Sequence, residues 1–149
     1  MYELTLAVHN LLRWIVLIAA VVAVSSAAAG WTGRRPWTAA SAGPGRVLTI
    51  TLDLQFLLGV ALYGMLSPVT KAAFADFGAA MAQRELRFFA VEHALLMVLA
   101  IVAAHVGKVL AQKGATDVAR YRRAAVWYGL SLLLLLAGMP WWRPLLRWG

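Results

Sequence analysis

The chain has 149 residues, of which 62% are hydrophobic and 13% charged, with 14 Lys and Arg against 6 Asp and Glu. A soluble domain is closer to half apolar and a quarter charged, so this composition indicates an integral membrane protein of one domain, residues 1–149. The net charge of +8 is not arranged for nucleic acid, because no basic run alternates with exposed aromatics in a soluble segment. The absence of cysteine excludes disulfides, iron–sulfur ligation and covalent attachment of c-type haem.

Four apolar stretches are long enough to cross a hydrocarbon core of about 30 Å. They predict an all-α, four-helix membrane bundle with spans at roughly 6–29, 47–67, 88–110 and 123–140. The first contains WIVLIAAVVAV followed by SSAAAG, which imitates a secretory signal with a small-residue cleavage site. No Lys or Arg precedes Arg13, so the basic n-region is missing and the stretch is read as a span. The connector GWTGRRPWTAASAGPGR is rich in Gly, Pro and Ser. The second connector starts at Ser67-Pro68, and its middle, TKAAFADFGAAMAQREL, predicts a short amphipathic helix on the membrane surface. The third is KVLAQKGATDVARYRR.

Four crossings put both termini on one side. The first and third connectors carry Arg34, Arg35, Arg46, Lys108, Lys113, Arg120, Arg122 and Arg123, opposed only by Asp117. The opposite side carries Lys71, Arg84, Arg87, Arg143 and Arg147 beside Glu3, Asp76 and Glu85. This bias makes the first and third connectors cytoplasmic and both termini periplasmic in a bacterial inner membrane. Trp31, Trp37 and Trp127 then lie near the inner interface, and Trp14, Trp141, Trp142 and Trp148 toward the outer.

This topology brings His9, near the outer end of the first span, to the depth of His93 on the third. His105 lies about 18 Å further along the third span and points roughly 120° away from His93. Beyond the first turns, the His9 face continues through Arg13, Val16, Ala20, Ala23 and Ala27, and the His93 face through Leu96, Met97, Ala100, Ala104 and Gly107. Small-sided faces let helices approach closely or leave room for a flat ligand between them.

Two readings of these histidines stand side by side. In the first, His9 and His93 are the axial ligands of a single b-type haem, since bundle cores build cofactor sites from facing helices. Arg13 and Arg87 are placed to meet its propionates, and Glu92 to orient a ligand or Arg13. In the second, the histidines hydrogen-bond across helices without any cofactor, and Arg13 snorkels. His105 is expected to form a polar cluster with Asp53 and Gln55, as a satisfied contact, a proton-uptake site or a site for a quinone headgroup. No fourth histidine supports a second haem, and Met65 and Met97 lie at outer or middle depth. There is no zinc spacing of the HExxH kind and no glycine-rich phosphate loop. Ser25, Ser26, His105 and Asp53 all lie toward the inner side, but SSAAAG is not a nucleophile elbow and nothing marks an oxyanion hole.

The pieces HNLLRW (9–14), DLQFLLGVALY (53–63), RFFAVEH (87–93) and MPWW (139–142) together resemble a group of small bacterial four-helix membrane proteins labelled cytochrome-b-like, mostly of unassigned function. The resemblance covers nearly the whole chain. It implies a haem-type membrane subunit with His9 and His93 as the carried-over positions. Three functions remain open at this point: an electron-transfer cytochrome or haem-binding subunit of a respiratory or photosynthetic complex, exchanging electrons with partner subunits or quinone; a cofactor-free accessory subunit; and a small proton-conducting protein using Glu92, His93, His105 and Asp53. The chain has no soluble catalytic domain, so a stand-alone enzyme is not expected.

Overall fold

The computed structural model describes residues 1–143; Arg147 and Trp148, assigned above to the outer side, lie outside them. All described regular structure is helical. Helix α1 spans Tyr2–Thr32. After a 3₁₀ turn at Ala40–Ala42, α2 spans Gly43–Ala61 and runs on through a π-helical turn, Leu62–Leu66. Three short helices follow: α3 Pro68–Ala75, α4 Phe77–Ala82 and α5 Arg84–Arg87. A second π turn, Phe88–Glu92, leads into α6, His93–Gln112, and α7 covers Asp117–Ala137.

Three helical segments are long and apolar enough to cross a membrane: Tyr2–Thr32, Ala40–Leu66 and Arg84–Gln112. The fourth long helix, α7, starts earlier than its apolar stretch, so its first two turns carry Asp117, Arg120, Arg122 and Arg123. Its uncharged part, 124–137, is about 21 Å long at 1.5 Å per residue. That is shorter than the hydrocarbon core, and the helix stops at Ala137 rather than near residue 140.

The helix ends follow from local chemistry. The Ser67 hydroxyl accepts from the Thr70 amide (3.4 Å) and Pro68 occupies the first turn of α3. The Asp76 carboxylate accepts from the Ala79 amide (3.0 Å), and the Thr116 hydroxyl from the Ala119 amide (3.1 Å). The Asp76 cap is what breaks the expected single surface helix: the chain turns extended there and starts α4 afresh. The broken hairpin closes on a small core of its own, with Ala73, Ala80 and Ala90 buried against Met81 and Leu86.

The four long helices form a ring in which α1 touches α2 and α7, and α6 touches α2 and α7; the α2–α6 contact is the sparsest. The small-sided stripe of α1 faces inward: Val16, Ala20, Ala23 and Ala27 are buried, as are Ala100, Ala104 and Gly107 on α6. Tyr128 of α7 wedges against Gly45, where a Cβ would collide with its ring and hydroxyl, and beside Gly107, where a Cβ would collide with the Cβ of Trp127. The Ser131 hydroxyl donates to the Ala100 carbonyl (2.8 Å), satisfying a buried polar group within the seam. At one end, the Tyr121 hydroxyl donates to the Pro36 carbonyl (3.2 Å) and meets Ser41 Oγ (2.7 Å). The two most basic connectors therefore share one end of the ring. The short-helix hairpin and Arg143 share the other, joined by the Arg143–Glu85 ion pair.

Candidate functional site: a histidine-lined cavity

Where α2 and α6 diverge toward the hairpin end, a cavity of about 660 Å³ opens between α1, α2, α6 and α3. Its volume lies within the range of small-molecule and cofactor sites. The wall is mainly apolar, and its polar groups are few: His9, Asn10 and Arg13 from α1, Gln55 from α2, His93 from α6, Arg143 beyond α7, and hydroxyls of the hairpin.

His9 and His93 meet across this space, with ring centroids 6.5 Å apart and planes at 72°. The His93 ring is held by a backbone carbonyl just past α7, whereas His9 is held through its own backbone. His93 Nδ1 lies 2.7 Å from the Gly138 carbonyl. A carbonyl only accepts, so Nδ1 carries the proton and the neutral ring presents Nε2 as a lone pair. The Gln55 amide donates to the His9 carbonyl (3.0 Å), tying α2 to the first turns of α1. Phe88 and Phe89 pack against the His93 ring at 5.9 and 5.8 Å between centroids.

Three buried polar atoms in the cavity wall, His9 Nδ1, Arg13 Nε and Gln55 Oε1, have no hydrogen-bond partner among the described residues. Buried polar groups are almost always paired, and one left unpaired costs about 1–3 kcal/mol. Three such atoms around one apolar space leave hydrogen-bonding capacity that water or a polar ligand could take up.

Both π turns border the site. The Tyr63 hydroxyl, in the first, donates to the Ala90 carbonyl in the second (2.7 Å), and the Thr70 hydroxyl donates to the Tyr63 carbonyl (2.8 Å). These bonds latch the hairpin over the cavity. Such turns recur at functional sites in α-helices.

The other expected residues fall elsewhere. Arg87 and Glu92 pair with each other (2.8 Å) on the surface and do not line the cavity. Arg87 also donates to the Met81 carbonyl (3.2 Å), so it is committed to the hairpin. The cation that does line the cavity beside Arg13 is Arg143, whose guanidinium lies 4.1 Å from the Phe89 ring and pairs with Glu85. The expected inner cluster is divided: His105 Nε2 lies 3.4 Å from Asp53 Oδ1, while Gln55 belongs to the cavity. Residues 53 and 55 are separated by about 200° around the helix, which keeps them off one face. That phase was readable beforehand; the Gly138 carbonyl and Arg143 had no such signal, because a loop geometry decides both.

Comparison with known protein families, with curated proteins and with solved structures gave no match.

Proposed function

We propose that the chain is a haem-binding subunit of a membrane electron-transfer assembly, a bundle of four spans in which His9 and His93 hold one b-type haem from opposite sides. The observation that carries this reading is the spacing of the two rings. Metal–imidazole bonds of about 2 Å put ligating nitrogens about 4 Å apart, and half a ring on each side brings the centroids to about 6 Å. The measured 6.5 Å matches that figure. The Gly138 carbonyl fixes the His93 tautomer as an outer partner of a ligating histidine does.

Arg13 and Arg143 supply the cationic partners that haem propionates need, and Arg13 Nε has no other partner among the described residues. Two axial imidazoles favour one-electron transfer over oxygen binding. The chain's own part is to exclude water with the apolar wall, fix the His93 ring through Gly138 and present two guanidinia to the cavity. Three apolar helical segments support a membrane setting. The Lys and Arg of the first and third connectors support a cytoplasmic placement of that end, with the cavity toward the periplasmic side of a bacterial inner membrane.

The decisive measurement is an absorption spectrum of protein purified from haem-replete cells. Sharp α and β bands on dithionite reduction are expected. A colourless preparation that keeps its helical circular dichroism rejects the assignment.

A further inference from the structure

We infer that the outward face formed by α2 and α6 is the interface for a second copy of this chain, with Asp53 and His105 of each copy bonding His105 and Asp53 of the other.

The inference starts from an ionisable pair in the wrong solvent. Asp53 is ten residues into α2, about 15 Å from its start at Gly43 and about 20 Å from the end of the π turn at Leu66. Within the apolar stretch 47–67 it lies about 9 Å inside the basic end, in the inner half of the span. Yet the side chains of His105 and Asp53 are 43% and 52% exposed, so the described residues cover only about half of each. The apolar residues around them, Ile50, Leu54, Leu57 and Val102, are exposed as well. An Asp half exposed within a span is costly without a partner. Such residues normally face a bundle interior, so this face calls for another polypeptide.

The pair is also internally unfinished. His105 Nδ1 lies 3.0 Å from the Ile101 carbonyl, one helical turn back, and so must be the proton donor there. Nε2 faces the Asp53 carboxylate at 3.4 Å, beyond the usual range for a good bond. Nε2 and the carboxylate oxygens therefore have capacity for a further partner. Lys108, one turn inward, is turned toward the Thr49 hydroxyl (3.5 Å) and does not complete the pair.

A second copy supplies what is missing. A twofold axis along the membrane normal preserves depth, so the pair meets its own image. Isologous packing requires a patch complementary to itself. A carboxylate beside an imidazole is such a patch: the imidazole of each copy can meet the carboxylate of the other, and the reverse. Polar contacts of this kind across helices act as glue in lipid. An independent feature points to the same face. Phe56 and Val60 of α2 and Leu95 and Val98 of α6 line the cavity yet are exposed outward, so the cavity opens sideways through the sparse α2–α6 seam. A copy seated there would close it.

The test exploits self-complementarity. Asp53→His and His105→Asp each make the patch like-charged, and each should reduce self-association at least tenfold in mild detergent and in lipid nanodiscs. Differently tagged copies of the two variants, coexpressed, should copurify with each other nearly as well as wild type with wild type, because both reciprocal contacts are restored. Wild-type protein that is monomeric in both media overturns the proposal, as do variants that self-associate unchanged or copies that fail to rescue each other. Since a variant could misfold, a second measurement uses the wild-type patch. The chain has no cysteine, so a short bis-maleimide in isolated membranes should link Leu57→Cys copies and not Val22→Cys copies, whose exposed site lies on α1. Absence of the Leu57 product, or equal linkage at Val22, also overturns it. The proposal rests on the membrane placement of α2 and α6 but not on haem: alkaline carbonate extraction of wild type would overturn both placement and dimer, whereas a colourless dimer would overturn the haem assignment alone.

Discussion

The rings of His9 and His93 face each other across 6.5 Å although the residues are 84 positions apart in the chain. Helix α1 and helix α6 run antiparallel to common neighbours, which brings the start of one beside the start of the other. The relationship is specific in orientation as well as distance, because His93 is pinned by Gly138 and the His9 backbone by Gln55.

This pairing predicts an asymmetric mutational pattern. His9→Ala and His93→Ala should each abolish or convert the low-spin spectrum, whereas His105→Ala should leave it unchanged, since His105 lies near Asp53 and outside the cavity. Reduced-minus-oxidised absorption spectra of the three variants check this. Loss of haem on His105→Ala alone would refute it.

Gly138 has a steric role separable from ligation. A Cβ there would run into the side chains of Met97 and Leu96, so the loop could not keep its carbonyl on His93. Gly138→Val should lower thermal stability by about 1–3 kcal/mol, the usual cost of overpacking. It should also shift the absorption bands, because the outer partner of His93 moves. Gly129→Ala, where nothing lies within 4 Å of the new methyl, should change neither. Thermal unfolding monitored by circular dichroism, with the spectra, separates the two outcomes.

How far the site could be read from the chain follows from where each signal resides. The helical periodicity of α1 is local, so its buried stripe through Val16, Ala20, Ala23 and Ala27 was legible. So was the shared depth of His9 and His93, which needs only span order. The extent of α7 was not legible, because its charged first turns fold as helix on a Thr116 cap that hydropathy does not register. Arg143 takes the cavity position expected of Arg87 for a similar reason. Arg87 sits five residues from Glu92 and pairs locally, whereas Arg143 reaches the cavity through a loop and a contact with Glu85 that no periodicity encodes.

Orientation is a separate prediction. Ala40 and Ala115 are exposed in the two connectors at the basic end of the ring. Ala40→Cys and Ala115→Cys should be protected from membrane-impermeant maleimide in intact cells and labelled after permeabilisation, as expected if the Lys and Arg excess is cytoplasmic. Labelling of both in intact cells would invert the topology and move the cavity to the cytoplasmic half.

If a haem binds as proposed, Arg13 should raise its reduction potential. Its guanidinium is attached one turn from His9, and its Nε is buried without a partner among the described residues. A nearby cation would favour the reduced form, and in an effective dielectric of about 20 a unit charge is worth on the order of tens of millivolts. Arg13→Gln should therefore lower the midpoint potential by tens of millivolts while keeping the low-spin bands. Arg87→Gln provides the contrast. That guanidinium is 44% exposed and already paired with Glu92, so solvent and its partner screen it and the potential should not move appreciably. Spectroelectrochemical titration of both variants against wild type discriminates the roles. Equal shifts, or a rise on Arg13→Gln, would show that Arg13 does not face the iron's charge.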